Sequence, residues 1–410
     1  MDTKEIFSAA LQLESPWYIQ NIAFTTPNEN THERELHIYL AFDRGSHFHC
    51  PVDSCNEQPT AYDTKPRTWR HLNFFQYKTF LHASLPRVSC KNHGVKTVSV
   101  PWARSASGFT LLFESWVLEL AKYLPVSEIA SLVDEHDTRL WRFIRDYVEE
   151  ARTRENFSGV EAVGMDETSK KGHNYITVAV DLKERKVIYV TNGKDSSTVD
   201  RFTQDFKEHG GNPDKVGVIT CDMSLGFRKG IKNNFQNSHV VIDKFHVIKH
   251  ANEGVDEVRK MESKENGLLR RTKYIWLKNE SSLTDKQREK KESLLKKRLR
   301  TGRAYAMRVA LQDVYSEVSR EGAESRLKKL CSWMMHSRLE PMKKLTKMLR
   351  EHWEEILNYF DYPYTNAILE GMNSIIQNIK CRARGFRNDE YFKTMIYLVC
   401  GKLDLAACAL

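Results

Sequence analysis

No stretch of the 410-residue sequence approaches the roughly 20 consecutive apolar residues that cross a bilayer. The opening MDTKEIF carries no basic segment followed by an apolar run, so no secretion signal is expected either. Both absences point to a cytoplasmic protein without a membrane partner. Eight cysteines are few and scattered, and in such a compartment they read as metal ligands or core thiols rather than disulfides. Cys221, Cys331, Cys381, Cys400 and Cys408 have no partner at ligand-like spacing, which leaves Cys50, Cys55 and Cys90. Internal repeats and low-complexity tracts are absent, and 40% hydrophobic residues are ample for the cores of two or three domains.

Acidic residues are outnumbered, 54 against 63 Lys and Arg, giving a formal charge of +9. A basic balance fits a polyanionic partner, although it also serves solubility. Between Lys244 and Arg303 there are 18 Lys and Arg against 9 Asp and Glu, a surplus equal to that of the whole chain. The basic character is therefore regional.

Residues 18–28 and 34–42 read as two short strands about a polar turn, Pro27 to His32. Cys50 and Cys55 follow, then the basic, aromatic RTWRHL containing Arg67, Trp69 and Arg70, then Cys90 and His93. Two Cys/His pairs at these spacings complete a tetrahedral Zn²⁺ site, with His47 or His49 as possible substitutes for one ligand. From Phe109 the apolar spacing turns helical. Pro125 to Val133 and Asp137 to Val148 form two helical segments around a break at Asp134 to His136. These make either an ordinary helical hairpin or a helix-turn-helix, with Pro125 in the first turn of one helix and Thr138, Arg139, Arg142 and Arg145 available on the other.

From Gly159 the pattern becomes α/β. VEAVGMDE, NYITVAVDL and KVIYVTNG read as strands, the last two a hairpin through LKER. Ser197 to His209 is a helix capped by Ser196 or Ser197, with Val199, Phe202 and Phe206 on its inner side. KVGVITCD, a helix from Gly226 to Phe235, and SHVVID complete the order: three strands, helix, strand, helix, strand. Asp166 then ends the first strand and Asp222 the fourth, at the carboxyl rims where α/β sheets form ligand sites. Phe245 to Arg350 is long, helical and charged, with Leu268, Leu269, Tyr274 and Trp276 as packing candidates; it is too long to be a loop.

Metal-assisted phosphoryl transfer needs several carboxylates, because Mg²⁺ and Mn²⁺ are hard ions that prefer oxygen. Asp166 and Asp222 are the natural first pair. Glu370, in the helical YTNAILEGMNSIIQNIK, can reach the rim from the side, while Glu167, Asp181 and Asp243 are rivals. Lys380, Arg382, Arg384 and Arg387 follow Glu370 and suit backbone phosphates.

GMDET, TCDMS, VIDKFHVIKH and NAILEGMNSIIQNIKCRARGFRN together resemble the catalytic core of insertion-sequence transposases of the ISL family, in the DDE superfamily with a ribonuclease-H-like fold. The resemblance covers nearly the whole chain. It implies an α/β ribonuclease-H-like core with a long helical insertion, preceded by a small zinc-binding module and a helix-turn-helix. The corresponding segments are 1–100 (zinc module), 101–150 (helix-turn-helix), 159–243 (first part of the core), 244–355 (insertion) and 356–410 (second part).

It also implies Asp166, Asp222 and Glu370 as a metal-binding catalytic triad for Mg²⁺ or Mn²⁺, and Asp243 with His246 as an auxiliary pair. The last two residues have an equally simple reading as a helix-capping Asp and a packed histidine. Cys50, Cys55, Cys90 and His93 correspond to the family's zinc region, in which the cysteine pairs are usually two residues apart rather than four. The implied partners are double-stranded DNA, both terminal inverted repeats and target, contacted through the amino-terminal half including Arg67, Arg70, Arg139, Arg142 and Arg145. Cutting two ends together implies at least a homodimer, at the bacterial nucleoid. A DNA-binding regulator without chemistry, or a nuclease of this fold that does not join, would share much of the pattern.

Overall fold

The computed structural model describes residues 3–26, 34–171, 174–362, 364 and 367–406. The turn Pro27 to His32 and Cys408 lie outside them. The chain divides into two compact units, residues 1–152 with 404–410, and residues 153–403.

The first unit opens with α1 (Thr3–Ala10), followed by β1 (Trp17–Thr25), β2 (Glu35–Phe42), β3 (Ala61–Arg70), β4 (Lys78–Cys90) and β5 (Gly94–Thr97). The strands form one sheet in the order β1-β2-β4-β3, with β5 added to β4. Leu36, Ile38 and Leu40 alternate inward from β2, and Leu81, Ala83 and Leu85 do so from β4, the two-residue period of a sheet with one buried face. Trp69 joins this core at 1% exposure.

Three helices follow: α2 (Leu111–Ala121), α3 (Val126–Val133) and α4 (Asp137–Thr153). Asp134 ends α3 in the left-handed conformation, φ 51°, so the chain turns where the sequence predicts. Pro125 takes the cap position of α3, not its first turn. Leu140, Ile144, Tyr147 and Ala151 recur on the buried side of α4, leaving its arginines outside.

His71, just after β3, is half-buried with Nδ1 2.8 Å from the Thr110 hydroxyl. Burial, then the charge of Arg70, holds its pKa down to about 4, against an ordinary 6.5. The unfolded chain binds a proton that the folded one refuses, so stability present above pH 6.5 is lost as pH falls towards 4. At about 1.4 kcal/mol per pH unit, His71→Asn should flatten the acid limb of first-unit unfolding by up to roughly 3 kcal/mol, measured as denaturation midpoints from pH 7 to 4.

The second unit is built on β6 (Ala162–Lys171), β7 (Asn174–Asp181), β8 (Lys186–Asn192), β9 (Val218–Cys221) and β10 (His239–Ile242), in the order β10-β9-β6-β7-β8. β6, β9 and β10 are mutually parallel; β7 pairs antiparallel with both β6 and β8 and is the one reversed strand of this sheet. The crossover helices are α5 (Ser196–Glu208) and α6 (Leu225–Asn234). The expected strand–helix order is thus found, but Asp195 rather than a serine occupies the cap of α5. Val163 and Met165 of β6 face a core containing Val199, Phe202, Phe206, Phe227 and Ile231.

Next come α7 (Lys244–Glu265), α8 (Lys273–Leu277), α9 (Asp285–Leu295), α10 (Arg300–Val314), α11 (Arg320–Met335), α12 (Glu340–Glu351) and α13 (Trp353–Asp361). They share a core through Val255, Met307, Leu327, Met342 and Leu349. The α7 carboxylate of Glu262 accepts from the N–H groups of Arg300 and Thr301, satisfying the exposed donors at the start of α10. Trp276 and Leu269 are fully buried as expected, whereas Tyr274 and Leu268 lie outside, because the short turns there present neighbouring residues to opposite sides. Asn358 of α13 donates to the Val240 carbonyl at 2.9 Å, joining the end of the helical run to the β10 edge. The last helices are α14 (Ala367–Arg382) and α15 (Asp389–Cys400).

Candidate functional site

β6 does not end at its acids. Its parallel pairing with β9 stops at Gly164↔Thr220, but it continues to Lys171 against β7. Asp166 and Asp222 each lie two residues beyond that last pair, so the register carries them to the same point, where β6 and β9 part. The burial of Asp166 raises its pKa above the usual carboxylate range, and the Asp222 charge adds to the rise. Glu167 is pushed up to about 7, first by burial and then by Asp222.

The register also disposes of a rival. Asp181 pairs with Val163, at the opposite end of the β6–β7 ladder from Lys171. Its buried carboxylate accepts from the N–H groups of Lys183 and Glu184, closing the hairpin turn.

Gly164, Asp166 and Thr168 share the face of β6 over which α14 lies. A Cβ on Gly164 would sit 2.8 Å from terminal side-chain carbons of Leu369 and Leu182, so a larger residue here requires these leucines to shift. One turn along α14, the Asn373 amide donates to Asp166 Oδ2 at 2.6 Å and accepts from the Thr168 hydroxyl at 2.6 Å. Lys380 donates to the Ser169 carbonyl at 2.8 Å. Glu370 precedes Asn373 by three residues, exposed in the first turn of the helix. Gly164→Val should push α14 away, lower stability by about 1–3 kcal/mol and loosen the Asn373 contact. Calorimetry, with hydrogen exchange over α14, measures both.

Asp243 caps α7 by accepting from the Phe245 N–H at 3.0 Å, and its second oxygen lies 3.1 Å from His246 Nδ1. That hydrogen bond raises the His246 pKa, and the charges of Asp243, Asp166 and Asp222 support the rise against burial. The capping role read from the sequence is therefore present, and the histidine it holds faces the acidic rim.

In the first unit, Cys50, Cys55, Cys90 and His93 bring their ligand atoms within 4.8 Å of one another. Cys50 Sγ is 3.7 Å from His93 Nδ1, Cys55 Sγ 3.7 Å from Cys90 Sγ, and Cys90 Sγ 3.5 Å from His93 Nδ1. Ligands about 2.0–2.3 Å from a tetrahedral Zn²⁺ stand roughly 3.5–3.8 Å apart, so this set fits the ion. Burial pushes the Cys90 thiol up, but N–H donors at Asn92 and His93 and the His93 ring outweigh it and bring it to about 7, favouring the thiolate. His47 and His49 are not in the cluster; both lie against Gln58.

Among the described residues this is the one group of three or more His, Cys, Asp or Glu within that distance. Asp166, Asp222 and Glu370 do not form such a group; the two aspartates are half-buried and Glu370 is exposed.

Arg67, Arg104, Arg139 and Arg142 line a cleft of about 420 Å³ between the loop before α2 and the outer side of α4. Its wall is fixed by Glu114, fully buried, which accepts from Arg104, Ser107 and the Tyr147 hydroxyl. Arg70 is elsewhere: 3% exposed, it donates to the carbonyls of Thr79 and Val133 and to Asn73, so its guanidinium holds the fold together instead of meeting a phosphate. Arg145 is half-exposed and paired with Glu149.

Residues 163–396 match the family model for ISL3 transposases of the DDE type, more than half of the chain. The chain belongs to the ISL3 family of DDE transposases. Residues 98–148 match the helix-turn-helix domain of transposase family ISL3, and residues 47–93 the zinc-finger of transposase IS204/IS1001/IS1096/IS1165. The transposase for insertion sequence element IS1557 of Mycobacterium tuberculosis is 25% identical over 373 residues, 82% of each chain. That for insertion sequence element IS1001 of Bordetella parapertussis is 23% identical over 346 residues, 81% of this chain and 84% of its own.

In this ISL3 transposase the matched helix-turn-helix region contains α2, α3 and α4, a module of a kind that binds DNA, and the Cys₃His cluster is consistent with a structural zinc site. No described helix is long and apolar enough to cross a membrane. The sequence places Asn373 in the family-like segment around Glu370 but gives it no role of its own; its three-residue spacing from Glu370, which puts both on one side of a helix, was the available signal.

Proposed function

We propose that this transposase binds the terminal inverted repeats of its insertion sequence and carries out metal-dependent DNA cleavage and strand transfer, with Asp166, Asp222 and Glu370 as the metal-binding triad. The observation that carries the reading is the register of β6 and β9, which brings two aspartates together beside a helix bearing the third acid. The donor set is all oxygen, which suits Mg²⁺ or Mn²⁺. Two such ions, when bound, supply activation of the attacking water or 3′ hydroxyl and charge neutralisation at the leaving oxygen.

The chain's own residues do the rest. Asn373 fixes the Asp166 carboxylate, and Asp243 holds the His246 ring near the rim, where it contacts a phosphate of the bound strand. Lys380, Arg382, Arg384 and Arg387 neutralise flanking phosphates and align the strand. Arg67, Arg139, Arg142 and Arg145, together with the zinc-held sheet, read the terminal repeat, and two copies act on two ends. Arg70, being buried, has no part in this.

The test is purified protein with DNA carrying the element's ends and Mg²⁺ or Mn²⁺, beside Glu370→Gln. Loss of both cleavage and joining in the variant is expected. Equal activity removes Glu370 from the triad; cleavage without joining by the wild type makes the enzyme a nuclease; binding without either makes it a regulator.

A further inference from the structure

A cavity of about 540 Å³ opens beside Glu370, between the end of β10, the start of α7 and the helices beyond. Its wall includes Asn252 of α7, Asn279, Arg308 and Gln312 of α10, and Tyr359 of α13. Arg308 is only 3% exposed, and neutral amide oxygens meet all of its nitrogens. Nε donates to Asn252 Oδ1 at 3.0 Å, Nη1 to Gln312 Oε1 at 2.7 Å and Nη2 to Asn279 Oδ1 at 2.9 Å. Among the described residues no carboxylate pairs with it.

A buried cation without a counter-charge is costly, and three oriented amides around it are a deliberate arrangement. With their oxygens turned to the guanidinium, the amides have their NH₂ groups left for other acceptors. Gln312 Nε2 donates to Asn279 Oδ1 at 3.3 Å, while the NH₂ groups of Asn252 and Asn279 meet no acceptor among the described residues. The cavity therefore offers the amide N–H donors of Asn252 and Asn279 beside an aromatic ring, with Asp243, Lys244 and Glu370 also in its lining. Its complement is a flat, acceptor-rich ligand.

We propose that this cavity receives one unpaired nucleobase of the DNA strand held at the acidic rim. The inference rests on the proposed DNA-processing role and adds to it a place where the helical run grips a nucleotide next to the cleavage point. The volume lies within the roughly 300–1,000 Å³ of small-ligand sites, enough for one nucleoside and too small for stacked base pairs. The amide donors, oriented by the buried Arg308 guanidinium, recognise the carbonyl and ring-nitrogen acceptors of a base edge, and Tyr359 offers it a face. Binding here compensates the loss of pairing, so DNA that is already unpaired at its end is favoured.

The full-length protein is tested with a fork-ended duplex carrying 5-iodouracil in its unpaired arm, beside the fully paired duplex of the same sequence. Photocrosslinks from the fork should map to peptides of the cavity wall, and the fork should bind about tenfold more tightly than the paired DNA. Asn252→Leu with Asn279→Leu should abolish that preference and leave paired-duplex affinity unchanged, with Arg308→Met as a second variant and melting curves to confirm folding. Crosslinks confined to other surfaces overturn the proposal, as does a fork preference that survives in folded variants. Competition by free deoxynucleoside monophosphate without any fork preference assigns the cavity to a free nucleotide and also overturns it. If a variant does not fold, the wild-type crosslink map decides alone. None of these readouts requires strand transfer, so a failure of the catalytic reading is scored separately, by the Glu370→Gln comparison.

Discussion

Asp222→Asn should lower single-turnover cleavage of element-end DNA by at least about a thousandfold, equivalent to roughly 4 kcal/mol of transition-state stabilisation, while the protein melts at the same temperature or higher. The two halves of this expectation have one cause. Asp166 and Asp222 meet beyond the last paired residues of β6 and β9, and the charge of one raises the pKa of the other. Removing one charge relieves repulsion in the fold but takes away an oxygen ligand of the proposed triad.

Asn373→Ala is the instructive comparison. Asn373 touches Asp166, and the proposed chemistry reaches it only through that carboxylate, so a loss of about 10–100-fold is expected, the range for residues that orient a metal ligand. Raising the Mn²⁺ concentration should recover part of the Asn373→Ala loss and none of the Asp222→Asn loss. Wild-type cleavage by Asp222→Asn would remove the triad.

Loss of zinc should unfold the first unit and with it DNA binding. Cys50 and Cys55 precede β3, Cys90 ends β4, and His93 lies in the turn before β5, so the ion would tie together segments that the sheet alone leaves joined at one edge. Structural zinc in small domains contributes about 10–16 kcal/mol of apparent binding energy, comparable to or greater than the stability of a domain. Wild type should retain one zinc per chain after dialysis. Cys90→Ser should retain none, and its first-unit melting transition should disappear while the transition of residues 153–403 persists. A zinc-free wild type with an intact first transition would exclude the site.

Much of the second unit was legible because its strands are short apolar runs punctuated by acids and its helices carry a clear inner stripe. The aspartates at the rim followed from that order. The extent of β6 did not, since DETSKK is polar and its strand conformation comes from pairing with β7. Arg70 illustrates the converse: in RTWRHL the tryptophan suits the core and the arginines suit phosphates, yet two successive residues are buried at the end of β3, so Arg70 lies inside together with Trp69. The zinc ligands were legible by residue type and spacing, although only the fold excluded His47 and His49. Gln312 is one helical turn from Arg308, but the other two amides were invisible because Asn252 of α7 and Asn279 after α8 come from separate parts of the helical run, at spacings with no local meaning.

The hydrogen bond from Asn373 to Asp166 spans 207 residues of chain. During synthesis β6 to β10 emerge well before α14, and closing so long a loop is entropically slow, with nothing gained until the helix docks. The carboxylate triad of the proposed enzyme is therefore incomplete on the ribosome. A nascent transposase can hold its first two acids and the DNA-binding module in place while still unable to cut, which separates the time at which it can find DNA from the time at which it can break it.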